Sequence, residues 1–122
     1  MFDNLAERVN GNAALVRRGR FVNATVLVEV GTAGYLIRIA EGRVVEVGPS
    51  PALMPNWTFA LRAPHDAWEK FWQPKPPPGF TDLFALVRKR LLRIEGDLHP
   101  FMANLLYFKE VLAAPRYREA TR

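Results

Sequence analysis

The sequence predicts a single α+β layered domain, with a five-stranded, mostly antiparallel sheet covered on one face by helices. Three observations predict it. Between Asn23 and Arg62 apolar residues recur with a period of two, interrupted by short Gly-containing turns. After Pro64 the period becomes that of a helix, and the apolar residues become bulky and aromatic. A chain of 122 residues, 49% hydrophobic and 24% charged, buries one core without cross-links.

Taken in order, residues 1–20 carry a weak helical pattern. Leu5 and Val9 share a face, then Asn10-Gly11-Asn12 interrupts before Ala13, Leu15 and Val16, which fits one frayed helix or two short ones. Residues 23–62 hold the strands. NATVLVEV sets Val26, Val28 and Val30 on one face and Thr25, Leu27 and Glu29 on the other. A turn at Gly31–Gly34 leads to YLIRIA, and Glu41-Gly42 turns the chain again into RVVEVG, giving an antiparallel meander. Glu29, Arg38, Arg43 and Glu46 make one sheet face wet, so the other needs a cover. PSPALMP at 49–55 is a loop because of its three prolines, and NWTFALR then alternates Trp57, Phe59 and Leu61 as a fourth strand.

Residues 64–90 read as two helices joined by a proline-rich connector at 74–79. Pro64 suits a first helical turn, with Trp68, Phe71 and Trp72 forming one stripe. The second helix runs from Phe80 to Arg90, with Thr81 as its cap and Phe80, Leu83, Phe84, Leu86 and Val87 on its buried side. Residues 91–113 give a fifth strand, LLRIEG, and a last helix starting near Asp97. Leu98, Phe101, Leu105, Phe108 and Leu112 centre its apolar side, Met102 and Leu106 widen it, and His99, Glu110 and Tyr107 form a narrow polar remainder. An arc this wide predicts burial against more than one neighbour.

The bulk properties exclude several classes. With no cysteine, disulfides and thiolate metal sites are impossible, and a reducing cytoplasm is the expected compartment. The start, MFDNLAERVNGN, has no signal-peptide pattern, the end REATR carries no lipidation or peroxisomal address, and no run approaches the roughly 20 apolar residues that span a bilayer. The net charge of +5 gathers at Arg17, Arg18 and Arg20 and at Arg88, Lys89, Arg90 and Arg93. Such clusters fit solvated helix ends, or a partner bearing phosphates. No aromatic residues interleave with them as a nucleic-acid stacking platform requires, so nucleic acid is not an expected partner.

Chemistry is sparse. The sequence has no nucleophile elbow, phosphate loop, dinucleotide fingerprint or zinc-protease helix. His65 neighbours Asp66, but adjacent helical residues do not face each other. His99 lies close to Glu95 and Asp97, which read as a strand residue and a helix cap. No catalytic residue, metal site or cofactor is expected. What stands out is apolar excess. Trp68, Trp72, Phe80, Phe84, Phe101, Met102, Leu105 and Phe108 are many large side chains for one small sheet. They either fill the core or together wall a cavity for an apolar ligand.

The order of elements, together with RIAEGRVVEVG at 38–48, WTFALRAPHDAWEKF at 57–71 and above all the junction LLRIEGDLHPFMANL at 91–105, resembles the sterol carrier protein type 2-like domain over roughly residues 20–113. The resemblance implies a hydrophobic tunnel between sheet and helices. It implies binding of sterols, fatty acids, acyl-CoAs or other lipids without catalytic residues. The lining would come from the helices around Trp68 and Phe84 and from Phe101, Met102 and Leu105. The triple-proline connector departs from the shorter, Gly-containing link usual there and would alter the tunnel mouth. The missing peroxisomal address fits a bacterial-style member. Related domains serve as accessory factors in quinone biosynthesis and as dimerising appendages, so a partner enzyme, a homodimer and peripheral contact with an anionic membrane are further expectations.

Overall fold

The structure, a computed structural model, describes residue 2 and residues 4–50 and 56–117. Most of the loop expected at 49–55 and the C-terminal REATR lie outside the described residues. The N-terminal helical pattern resolves into two short helices, α1 (Leu5–Asn10) and α2 (Ala13–Arg18). Gly11 ends the first, and the Asn12 side chain accepts from the Leu15 N–H to start the second.

The meander forms as β1 (Asn23–Val30), β2 (Ala33–Ala40) and β3 (Arg43–Pro49), each antiparallel to the next. Glu41 and Gly42 both take positive φ, 52° and 81°, the backbone of a two-residue hairpin turn whose twist matches the flanking strands. β4 (Phe59–Ala63) pairs parallel to β1, and β5 (Arg93–Gly96) pairs antiparallel to β4. The five-stranded sheet has the order β3-β2-β1-β4-β5 and is mostly antiparallel, as expected. Trp57 stands outside the fourth strand, which begins at Phe59; its ring lies 5.8 Å from the Arg62 guanidinium.

One face of the sheet presents Val26, Val28, Ile37, Ile39, Phe59 and Leu61, all buried, and the helices close over it. The other carries ion pairs. Arg62 on β4 is held by Glu29 on β1 and Glu95 on β5, and Arg38 pairs with Glu46 at 2.8 Å. The free edge at β3 is met by α1. Asn10 donates its side-chain amide to the Val44 carbonyl at 2.9 Å and accepts from the Val44 N–H at 2.8 Å.

The covering helices are shorter than the sequence periodicity predicts. α3 (His65–Phe71) buries Trp68 and Phe71. α4 spans Leu83–Arg88 rather than 80–90; Asp82, not Thr81, stands at its N-cap position, and Val87 on the expected buried side is exposed. The last helix is two. α5 (His99–Ala103) ends at Asn104, whose φ of −126° and ψ of 41° leave helical geometry, and α6 (Leu105–Ala113) then resumes, followed by a 3₁₀ turn at Ala114–Tyr117. The Pro100 carbonyl accepts both the Asn104 N–H at 3.2 Å and the Asn104 side-chain amide at 3.0 Å, which closes the end of α5.

The break redistributes the wide apolar arc. Phe101, Phe108 and Leu112 are buried as the helical wheel requires, whereas Leu98, Met102 and Leu106 are exposed. Tyr107, expected on the polar side, is fully buried, because its hydroxyl finds the Gly42 carbonyl at 2.7 Å. Leu98, not Asp97, stands at the N-cap position of α5; Asp97 lies one residue earlier and accepts from the His99 N–H at 3.2 Å. Gly96, at φ 100°, sits so close to the Thr58 carbonyl and the Phe59 Cα that a Cβ would meet them at 2.8 and 3.0 Å. Among the described residues no helix is long and apolar enough to cross a membrane.

Candidate ligand site

The large side chains singled out in the sequence fall into two aromatic groups. In one, Phe101 and Phe108 pack edge-on to Phe59 with ring centroids 5.3 and 5.1 Å away, and Phe84 reaches Phe101 at 6.3 Å. Geometries of this kind add stability beyond simple area burial. In the other, Trp72 stacks on Trp68 at 5.0 Å, and Phe2 stands edge-on to both Trp72 and Tyr35 at 5.3 and 5.4 Å. Both indoles are anchored. Trp68 donates to the Glu29 carbonyl at 2.8 Å and Trp72 to the Leu112 carbonyl at 2.7 Å.

Of the eight residues expected to line a cavity, Trp68, Phe101 and Phe108 are buried, while Trp72, Phe80, Phe84 and Leu105 are half-buried against the core. Met102 is 54% exposed. Phe80 lies between Lys70 and Lys89, whose ammonium groups are 5.1 and 5.4 Å from its ring centre.

Three surface-connected cavities flank these groups. One of about 470 Å³ opens between α1 and the end of β3 and is lined mainly by Phe2, Ala6, Tyr35, Val45, Val47 and Pro49. A second, of about 240 Å³, lies among α2, α3, α4 and α6, with Phe71, Leu83 and Leu106 as its apolar wall. Charged groups rim it: Arg18 pairs with Glu110, and Lys109 with Asp82 at 3.0 Å. The third, of about 310 Å³, is lined by the charged residues Glu29, Arg62, Arg90 and Arg93 together with Ala63, Pro64 and Leu91. None of the eight residues lines any of these three.

The first cavity escaped the sequence reading because its wall mixes a residue of the N-terminal segment, Phe2, with strand residues already assigned to sheet faces. The usable signal was Tyr35 and Val47, which point to the helix-covered side at the sheet's β3 edge.

Titratable groups add little chemistry. His65 sits 3.5 Å from Glu69 with both side chains exposed, and His99 is exposed. Among the described residues no cluster of three metal-binding side chains exists. Burial pushes the Tyr107 hydroxyl up to about 12. The Glu29 hydrogen bond, followed by that from Glu95, holds the Arg62 guanidinium above its ordinary pKa against the opposing effect of burial.

No family model and no curated protein matches the sequence. Solved structures do match. A crystal structure of sterol carrier protein 2 superposes with a TM-score of 0.74 over 92% of this chain and 90% of that one, at 11% identity. The chain has the sterol carrier protein fold. A possible sterol carrier protein of Thermus thermophilus, described as a conserved hypothetical protein, gives a TM-score of 0.63 at 10% identity, covering 91% of this chain and 82% of that one. The ubiquinone synthesis protein UbiJ-SCP2 gives 0.57 at 17% identity, covering 93% and 89%. Within the sterol carrier fold, the two aromatic groups occupy the layer between sheet and helices.

Proposed function

We propose that this protein is a non-enzymatic carrier of an apolar, lipid-like ligand such as a fatty acyl chain, an isoprenoid quinone precursor or a sterol-like molecule. The observation that carries the reading is the cavity of about 470 Å³ between α1 and β3, within the range of small-molecule sites, where Phe2, Ala6, Tyr35 and Val47 form an apolar wall beside Glu46. The likeness of the fold to sterol carrier protein 2 supports it. Phe2 stands at this cavity and touches Trp72, which stacks on Trp68, so a chain entering past Phe2 meets the indole pair first. On this reading Trp68, Trp72, Phe80, Phe84, Phe101, Met102, Leu105 and Phe108 line the site once ligand parts the aromatic groups, each buried methylene contributing about 0.8 kcal/mol. Residence in the cytoplasm fits the cysteine-free sequence.

The test is organic extraction of the purified protein followed by mass spectrometry, with displacement of a fluorescent fatty acid as the binding assay. Recovered lipid and saturable displacement support the proposal; a protein that emerges empty and displaces nothing refutes it.

A second reading rests on a separate observation. Leu98 just before α5, Met102 on α5 and Leu106 on α6 are all exposed, and a ubiquinone synthesis protein shares the fold. An accessory module that docks this face on a partner enzyme, or on a second copy of itself, would cover them. Sedimentation of wild type against Leu98→Glu/Leu106→Glu separates the two readings, because both side chains are exposed and neither belongs to the proposed ligand lining.

A further inference from the structure

The cleft of about 310 Å³ at the sheet's far edge concentrates arginine in places where arginine is locally unfavourable. Arg62 and Arg93 stand directly opposite each other in the antiparallel pairing of β4 with β5, so like charges share one face at the shortest cross-strand spacing. Arg90 ends α4 at φ 61°, the left-handed position where glycine is the usual residue. The motif around it is complete: Arg90 N–H donates to Val87 O at 2.9 Å and Leu91 N–H to Leu86 O at 3.0 Å. Glycine would serve this turn with less strain, yet a guanidinium is held there beside the other two.

The carboxylates nearby are already engaged. Glu29 and Glu95 both close on Arg62, which is why the crowded pair is tolerated. Arg90 and Arg93 make no side-chain ion pair among the described residues, and both are exposed at the cleft. Leu91, Ala63 and Pro64 supply an apolar margin.

We propose that this cleft is an oxyanion site for a phosphate or carboxylate group, with Arg90 and Arg93 as the binding pair, while Arg62 holds Glu29 and Glu95 in place behind them. Two guanidiniums with free N–H groups match such a group by paired, charge-assisted hydrogen bonds. The proposal stands on this cleft alone and is independent of the apolar-ligand reading.

Two probes test it at constant ionic strength. Inorganic phosphate is titrated into ¹⁵N-labelled protein, and vesicles of phosphatidylcholine with phosphatidylglycerol are compared with phosphatidylcholine alone by co-sedimentation. Saturable shifts at the amides of Gly31, Leu91 and Arg93 are expected, weakened at least about tenfold in Arg90→Gly/Arg93→Gln. The control Arg17→Gln/Arg43→Gln, which removes two charges beside the opposite end of the sheet, should leave affinity unchanged. Glycine suits the Arg90 backbone, and the spectrum itself reports that the variant is folded. A response to phosphate assigns a free oxyanion, and a response to anionic vesicles alone assigns a lipid headgroup; either one, lost in the double variant and kept in the control, supports the site. Response to neither probe, or equal loss in both variants, overturns it.

Discussion

Tyr107 donates its hydroxyl to the Gly42 carbonyl at 2.7 Å, fastening α6 to the β2–β3 turn across 65 residues of sequence. Gly19, at the end of α2, lies against the same ring, so close that a Cβ there would meet it at 2.3 Å. Three elements far apart in the chain are thereby locked at one point. Replacing Tyr107 with Phe leaves the Gly42 carbonyl unpaired in the interior and should cost about 1–3 kcal/mol, read as a lowered urea midpoint with unchanged slope.

The same residue sets an alkaline limit. Its hydroxyl titrates at about 12 in the fold against 10 when unfolded. The unfolded chain therefore loses this proton first. The contribution is whole below about pH 10 and is lost as pH rises through about 12. Urea midpoints should fall between about pH 10 and pH 12 more steeply in wild type than in Tyr107→Phe.

Phe101 and Met102 are neighbours with opposite surroundings, one fully buried and the other 54% exposed. Phe101→Ala should cost about 3–5 kcal/mol, whereas Met102→Gln should change stability by less than about 0.5 kcal/mol. Thermal denaturation checks both. If Met102 lines the ligand-bound site, its variant lowers fatty-acid affinity while the melting temperature of the empty protein stays put.

At Arg90 the structure predicts a gain. Arg90→Gly relieves a left-handed backbone and should stabilise the protein by up to about 1 kcal/mol, read by denaturant unfolding.

Trp72 should report the cavity between α1 and β3. Phe2→Ala removes the ring between that cavity and the indole, so fluorescent fatty-acid binding should quench tryptophan emission more strongly than in wild type. Val47→Asp, which places a carboxylate in the wall, should abolish binding and quenching together.

How much of this was legible in the sequence follows from where the information lies. Alternating valines and the Glu41-Gly42 turn are local signals, so the meander and its wet and covered faces could be read directly. The strand end at Gly96 was equally readable, whereas the helix start was displaced by one residue, with Leu98 rather than Asp97 at the N-cap position. The parallel partnership of β1 with β4 left no mark, since any strand with the pattern of Phe59 and Leu61 could have paired elsewhere. The break at Asn104 was hidden for a related reason. Apolar periodicity continues across it, and only the finished packing shows that Tyr107 turns inward while Met102 and Leu106 turn out. For the candidate ligand site, the aromatic excess was plain, but the cavity wall was assembled from Phe2, Tyr35 and Val47, which no single window of sequence unites.

Asn10 has a consequence beyond the domain itself. A sheet that ends at β3 offers unpaired peptide groups to any extended chain that approaches. By giving and taking one hydrogen bond at Val44, the Asn10 side chain imitates the peptide group of a sixth strand, and α1 then occupies the space where such a strand would lie. The first helix thus covers part of the β3 edge, and its loss would leave the Val44 peptide groups open to strand pairing.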